Sequence, residues 1–575
     1  MSELSSIRNV AFVGHPSVGK TSLVDALAHL IGASPRKGSV VDKTSICDTE
    51  PEEQEKQHTL QLASVWADWS DKTWTLFDTP GYPEFVAEVQ AAMFAADLVV
   101  GVVSCGSGAT YNLRTKMKHA AQMGRGRAVI ITHLDVENAD FEQTVMDLRE
   151  GVGEECVPVL LPDASGPSFS AVQRTILDLE SEWCGRLKDR VMDACQDEDL
   201  LMEYLENQEL SEDQLDKHMH TAIAEGALVP VLVCNPESGV GVEAVVEFLK
   251  RFAPCPTDIP TLDADGEPVT KDASGEFTGT VFSVVTDPHV GKVCLARIHR
   301  GTLKASDLVS ADGGKGEKLG GLFRLVGKKR ESVEAAGAGD IVAFSKVEKL
   351  PTWSNFSLGG GAPVAVPTPV VPSPMVGLAV FPKTRADEQK IGEALSKLSA
   401  EDPTLTIEHT VDTHEVVVHC MSDVHLHLMF ERMKRRYNVE VATKLPTIAY
   451  KETITKAAEG HHRHKKQTGG RGQFGECFLR LRPAPQGSGI VFADKVVGGA
   501  IPRNLIPAVE KGLREVCAKG ILTHGQVVDV EAELYDGKFH AVDSDEGSFR
   551  MAGGRAFRAG FEKGNPVLLE PVVKV

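Results

Sequence analysis

Residues 14–21 read GHPSVGKT, directly after the apolar stretch VAFV and directly before TSLVDALAHL. A glycine-spaced loop between a strand and a helix, closed by lysine and threonine, has one main chemical use: it wraps phosphates. Gly14 and Gly19 let the backbone curl until its N–H groups face phosphate oxygens. The helix start adds partial positive charge. Lys20 is placed to reach β- and γ-phosphates, and Thr21 offers a hydroxyl to Mg2+. His15, Ser17, Val18 and Ser22 complete the loop. Such a loop needs a parallel sheet behind it, and the next 250 residues supply the pattern. TWTLFD (73–78), LVVGVVS (98–104), RAVIITH (127–133) and LVPVLVC (228–234) are short apolar runs separated by helical stretches. They predict an α/β domain over 1–258 with helices on both faces.

A second phosphate-facing motif, DTPG, closes the run TWTLFD. Asp78 is expected to hold Mg2+ through water, and Gly81, without a side chain, can bring its N–H to a γ-phosphate. Between the two motifs, KTSICDTEPEEQEKQHTL is polar and poorly periodic. It suits a segment ordered by a γ-phosphate and loosened after hydrolysis, or a plain surface loop.

Beyond this domain the composition changes in steps. Residues about 155–225 form an acidic, helix-rich insertion, read as a solvated surface or a docking face. The Pro- and Asp-rich linker 253–268 leads to alternating short stretches with glycine turns, which predict a β-barrel over 270–357. A linker with five prolines (358–374) follows. Strand, helix, strand, helix over 374–445 predicts a split βαβ domain. In 446–575, strands surround one amphipathic helix with Leu505, Val509, Leu513 and Val516 on one face and Gly520 at its end.

The net charge of −20 argues against indiscriminate nucleic-acid binding, so any polyanion contact needs a local basic patch. KAAEGHHRHKKQTGGR (456–471) provides one, with five Lys or Arg and a single acid. Lys465, Lys466, Arg471 and Gln473 can bond phosphates or base edges, Gly470 lets the loop approach closely, and Phe474 can stack. Eleven scattered cysteines without metal spacing suggest reduced thiols in a cytosol. The start lacks a secretory pattern, and no apolar run of membrane-spanning length occurs; a cytoplasmic monomer is expected.

GHPSVGKT, EQEKQHTL, DTPGYPEFVAEV, VFSVVTDPHVGKVCLARIHRGTLK, FPKTRADEQKIGEALSKLSAEDPT, HKKQTGGRGQFGE and YDGKFHAVDSDEGSF together resemble elongation factor G, in particular its divergent factor-G-like paralogues. The resemblance is collinear over nearly the whole chain. It implies GTP and GDP as ligands with Mg2+, and the ribosome as partner in moving transfer RNA and messenger RNA. It also implies an elongated, ribosomal-S5-like fourth domain whose tip enters the decoding site. His540 matches the family's second tip loop, beside the first. Thr59 matches the switch threonine that closes over Mg2+ and γ-phosphate.

The departures concern chemistry. Ser17 stands for the family's aspartate, and Lys56-Gln57 for Arg-Gly. The base-reading Asn-Lys-x-Asp is THLD: Asp135 retains the guanine-reading carboxylate, while Thr132 and His133 are poorer substitutes. Tyr82 replaces the histidine of DTPGH, which helps to position the attacking water. A phenol carries no imidazolium charge, and losing a positioning group worth about 10²–10⁴-fold costs roughly 3–5 kcal/mol of barrier. GTP hydrolysis is therefore expected to be slowed rather than abolished, with Lys20, Thr59, Gly81 and Tyr82 as the catalytic set. The chain stops at LLEPVVKV, where the family's joint to a fifth domain falls; a natural lack and a fragment are both open. A nucleotide-gated regulatory, rescue or protection factor that hydrolyses little is the alternative.

Overall fold

The computed structural model describes residues 3–178, 181–207, 209–272, 275–287, 290–311, 313–410, 413–467 and 472–572. Two compact units emerge. One comprises Met1–Val376, Pro382–Thr406 and His419–Val441; the other comprises Gly377–Phe381, Ile407–Val418 and Ala442–Val575.

The first unit is organised by strand β1, Ile7–Gly14, which is buried along its whole length. Helices cover both faces of its sheet, so the run needs no polar alternation. The remaining strands used below are β2 (Ala63–Trp69), β3 (Lys72–Asp78), β4 (Leu98–Ser104) and β5 (Gly126–Thr132). β1 pairs in parallel with β3 and β4, and β4 with β5; β2 returns antiparallel to β3. Val229–Val233 continues the parallel set beside β5, and Cys156–Pro158 lies beyond it. That last strand occupies the start of the segment read as an insertion; its helices run Glu182–Asp193, Glu198–Asn207 and Glu212–Glu225.

Register brings the strand ends level. Phe12 faces Asp78, Gly14 faces Val102, and Ser104 faces Thr132. The loops after β1, β3 and β5 therefore leave the sheet at one carboxyl edge, where ligands of open α/β sheets bind.

Antiparallel strands from Thr278–Asp287 to Asn355–Leu358 form the β-barrel expected from the glycine-punctuated sequence. One barrel strand, Leu322–Val326, touches β2 through the pair Val326 and Val65. The deeper junction is an ion pair. Arg297 and Asp97 are 1% and 0% exposed and bridge directly. Arg297 Nη1 also donates to the Ala95 carbonyl at 2.6 Å, and Asn9 Nδ2 donates to Asp97 Oδ2 at 2.9 Å. Both charges are thus hydrogen-bonded as well as paired, which a desolvated pair requires.

In the second unit, Ala458–Lys466, Gln473–Pro483, Val530–Lys538 and Ile490–Asp494 form one sheet in that spatial order. Helices Ile506–Lys519 and Glu546–Lys563 cover it. Their approach depends on Gly512: a Cβ there would lie 2.0 Å from the Arg550 carbonyl oxygen. Val509 and Leu513 are fully buried, as their periodicity predicts, and Gly520 ends the first helix at φ 72°. Leu505 precedes that helix in a short 3-10 turn.

All five tryptophans (Trp66, Trp69, Trp74, Trp183 and Trp353) lie in the first unit, so their fluorescence reports its unfolding. Arg297→Met should strand the Asp97 charge and destabilise that transition by about 3–5 kcal/mol in urea titrations; an unchanged midpoint would refute the bridge.

Candidate nucleotide site

Five segments converge on a cavity of ≈ 450 Å³ lined by Ser17, Gly19, Lys20, Thr21, Ser22, Thr59, Gly81, Tyr82, His133 and Glu237, among others. The loop after β1 passes straight into α1, Lys20–Leu30. Ser17 and Gly19 take left-handed backbone at φ 61° and 81°. Gly14 is forced to lack a side chain, because a Cβ would sit 2.3 Å from the Val102 carbonyl oxygen. Lys20 is buried and its Nζ donates to the His15 carbonyl at 2.8 Å. Burial pulls its ammonium down to about 8 despite the Asp78 carboxylate nearby. A phosphate would restore the compensation this lysine lacks.

Thr21, Thr59 and Asp78 meet at one point. Thr21 Oγ1 donates to Asp78 Oδ2 at 2.8 Å and lies 2.9 Å from Thr59 Oγ1, which is 3.2 Å from the same carboxylate oxygen. Asp78 is fully buried, and its Oδ1 has no hydrogen-bond partner among the described residues. Burial pushes the carboxyl up, against the pull of Lys20 and the two hydroxyls. Hard oxygen donors and an orphaned carboxylate oxygen fit Mg2+. Gly81 lies so close to the first loop that a Cβ would be 2.5 Å from the Pro16 nitrogen. Its carbonyl accepts from Asn112 Nδ2 at 2.7 Å.

The segment carrying Thr59 is more ordered than its polarity suggests. It contains α2, Pro51–Lys56, started by proline and closed by Gln57 at φ 54°. Gln57 therefore takes the left-handed turn where the family pattern has glycine. Glu53, the first residue of EQEKQHTL, to which sequence reading gave no role, fixes both ends: its carboxylate accepts from the N–H groups of Glu50 at 2.9 Å, Leu60 at 2.8 Å and Gln61 at 3.1 Å. Helix Asp423–Tyr437 braces α2 from outside. Arg435 Nε donates to Glu52 at 2.7 Å and its other end to Glu50, while Arg436 lies 3.3 Å from Glu50 and Lys56 pairs with Glu431 at 2.9 Å. Burial raises the Glu50 carboxyl, but Arg436 and Arg435 outweigh it and hold it below the usual range. The Pro-Glu-Glu opening of α2 was the available signal; six residues are too few for periodicity.

At the base-reading end, Thr132 is buried and donates to the Val18 and Val103 carbonyls at 2.7 and 3.2 Å. It ties the first loop to β4. His133 stands at φ 53° against Gly19, and Asp135 is exposed two residues on. Opposite, Asn235 Oδ1 accepts from the Glu237 N–H at 2.8 Å, and Lys37 Nζ reaches the Glu237 carbonyl at 2.8 Å.

In the second unit, Lys465, Lys466, Gln473 and His540 are exposed. The Phe474 and His540 rings lie 6.4 Å apart, and the Phe474 N–H donates to the Asp543 carbonyl at 2.8 Å, so the two expected tip loops are neighbours. Gln473 Oε1 lies 3.0 Å from His464 Nε2. Gly470 and Arg471 lie outside the described residues.

A phosphate loop, an oxygen cluster and a base-side loop at one sheet edge define a P-loop GTPase domain, here followed by a barrel and further α+β layers. Residues 5–255 match the family described as elongation factor Tu GTP binding domain; 276–355, 371–445 and 446–565 match elongation factor G domains 2, III and IV. An elongation factor G-like protein of Thermotoga maritima is 33% identical over 100% of this chain and 86% of its own length. One of Mycobacterium tuberculosis is 32% identical over 99% and 85%. A crystal structure from Thermus thermophilus superposes with a TM-score of 0.83 at 32% identity, covering 98% of this chain and 86% of that one. The chain belongs to the elongation factor G-like translational GTPases, a GTP-binding family that acts on the ribosome. Among the described residues, no helix is long and apolar enough to cross a membrane.

The acids around the oxygen cluster make a pH signature. Asp48 has no hydrogen-bond partner on either carboxylate oxygen among the described residues. Burial first, then Asp78, Glu53 and Asp25, push it up to about 8 from 3.8. The folded state therefore binds this proton more tightly, and the stability it contributes is lost as pH rises toward 8. Without nucleotide, wild type should lose tryptophan-monitored stability between about pH 4 and 8 relative to Asp48→Asn; parallel profiles would remove Asp48 as the cause.

Proposed function

We propose that the protein is a ribosome-dependent GTP switch that assists translocation of transfer RNA and messenger RNA, with hydrolysis slowed by Tyr82. The observation that carries this reading is the closed Thr21–Thr59–Asp78 cluster beside Lys20. Thr21 and Thr59 would bind Mg2+ through their hydroxyls and Asp78 through water. The ion would neutralise β- and γ-phosphate charge. Lys20 adds a second positive charge there, and the Gly81 N–H faces the γ-phosphate. Gly14, His15, Ser17, Val18, Gly19 and Ser22 shape the phosphate bed. Thr132 keeps the first loop against the sheet, and His133 and Asp135 face the guanine.

The closed cluster also supports switching. Thr59 is the last residue of a segment whose order depends on Glu53 and on Arg435, so losing the γ-phosphate would release one of its three tethers. Hydrolysis is slow on this reading because Tyr82 stands where the family's imidazole stands. A regulatory or rescue role with little turnover is the second reading, favoured by Tyr82 and His133 standing where the family has its water-positioning histidine and its base-covering lysine. The exposed lysines and the Phe474–His540 pair support an RNA-facing tip, and a cytoplasmic monomer is the setting.

Single-turnover hydrolysis with and without ribosomes tests this. Ribosomes should accelerate wild type, and Tyr82→His should raise the rate further, by about 10²-fold or more. No stimulation of either protein would refute the GTPase role. Lys465→Ala with Lys466→Ala should weaken ribosome binding and lower its salt slope by about one per lost phosphate contact; unchanged co-sedimentation would exclude the tip.

A further inference from the structure

The phenol of Tyr82 and the imidazole of His58 reach the phosphate end of the cavity from different segments. Tyr82 follows DTPG; His58 immediately precedes Thr59. Tyr82 Oη and His58 Nε2 are 3.2 Å apart, and the rings meet edge to face with centroids 5.3 Å apart at 78°. Both side chains are half-buried and line the same cavity as Lys20, Thr21, Thr59 and Gly81. Neither hangs on a loose loop. The His58 N–H donates to the Glu53 carbonyl at 3.3 Å, and Asn112 holds the carbonyl of Gly81, the residue before Tyr82.

The geometry points to a composite water-positioning device: His58 orients the Tyr82 hydroxyl, and that hydroxyl orients the water that attacks the γ-phosphate. This rests on the reading of the protein as a GTPase and adds a residue that no motif match assigns. With its proton on Nδ1, the imidazole accepts from the phenol through Nε2, which leaves the phenol lone pairs to accept from water. The water oxygen forms the new bond to the γ-phosphorus. The bond from that phosphorus to the bridging oxygen breaks, its electron pair leaves with GDP, and the water proton ends on inorganic phosphate. The pair moves no proton permanently; it supplies direction, which is most of what phosphoryl transfer needs. Because His58 neighbours Thr59, the device assembles only when the switch segment closes.

On this view Tyr82, which touches the attacking water, is a catalytic residue and His58, which acts through it, a positioning residue, and two kinds of readout test it. In ribosome-stimulated single turnover, His58→Gln and Tyr82→Phe should each slow hydrolysis by about 10-fold or more, with affinity for a nonhydrolysable GTP analogue unchanged. The double variant should be no slower than the slower single one, because the two act as a unit. Moving the imidazole, as His58→Gln with Tyr82→His, should restore the rate. Independently of activity, Tyr82→Phe should shift the 15N imidazole resonances of His58, identified by their loss in His58→Gln. A His58→Gln protein as fast as wild type, additive losses, or His58 resonances indifferent to Tyr82→Phe would each overturn the device. In the first case the GTPase reading survives; wild type that never hydrolyses GTP would sink both.

Discussion

The meeting of Thr21, Thr59 and Asp78 is the contact on which the rest of the first unit turns. Each oxygen comes from a different stretch of chain: the start of α1, the end of the switch segment, and the end of β3. They can meet only because parallel pairing ends β1 and β3 at the same sheet edge. An orphaned, fully buried carboxylate oxygen in that cluster costs free energy. So does burying the Lys20 ammonium, which the nearby Asp78 carboxylate offsets only in part. The two unmet demands are complementary to a metal ion and a phosphate, which makes the chemistry of the site specific.

Around that cluster the structure places supports rather than more ligands. Glu53 gathers three backbone N–H groups and so fixes where Thr59 sits. Arg435 and Arg436 hold the helix that carries Glu53 from the outer side. Asn112 fixes Gly81. A change at the phosphates therefore has a physical route outward: Thr59, α2, then helix Asp423–Tyr437. Each step is a charge-assisted or buried hydrogen bond, the kind whose loss is felt.

The sequence made the frame of this arrangement readable. GHPSVGKT with its flanking strand and helix defined the loop, and the apolar runs located four parallel strands to within one residue, while β1 starts at Ile7, three residues before VAFV, and the short parallel strand Cys156–Pro158 was read as part of the insertion. DTPG and Thr59 were legible by type and position. The supports were not. Glu53 and Arg435 are ordinary charged residues in one dimension, and their partners lie up to 385 positions away. The proximity of His58 to Tyr82 is likewise a product of folding, since 24 residues separate them. Thr132 looked like a weak base contact, yet its hydroxyl serves the backbone of two neighbouring segments. The buried pair Arg297–Asp97 had no local signature, because nothing in either neighbourhood marks a charge for burial.

Calorimetry is the most direct measurement of the nucleotide site. Titrating GTP into the folded protein with Mg2+ present should give saturable heat at one site per chain, and Lys20→Ala or Asp78→Ala should abolish or greatly weaken it. Absence of heat with both GTP and GDP, on protein whose tryptophan fluorescence shows a native first unit, would contradict the assignment.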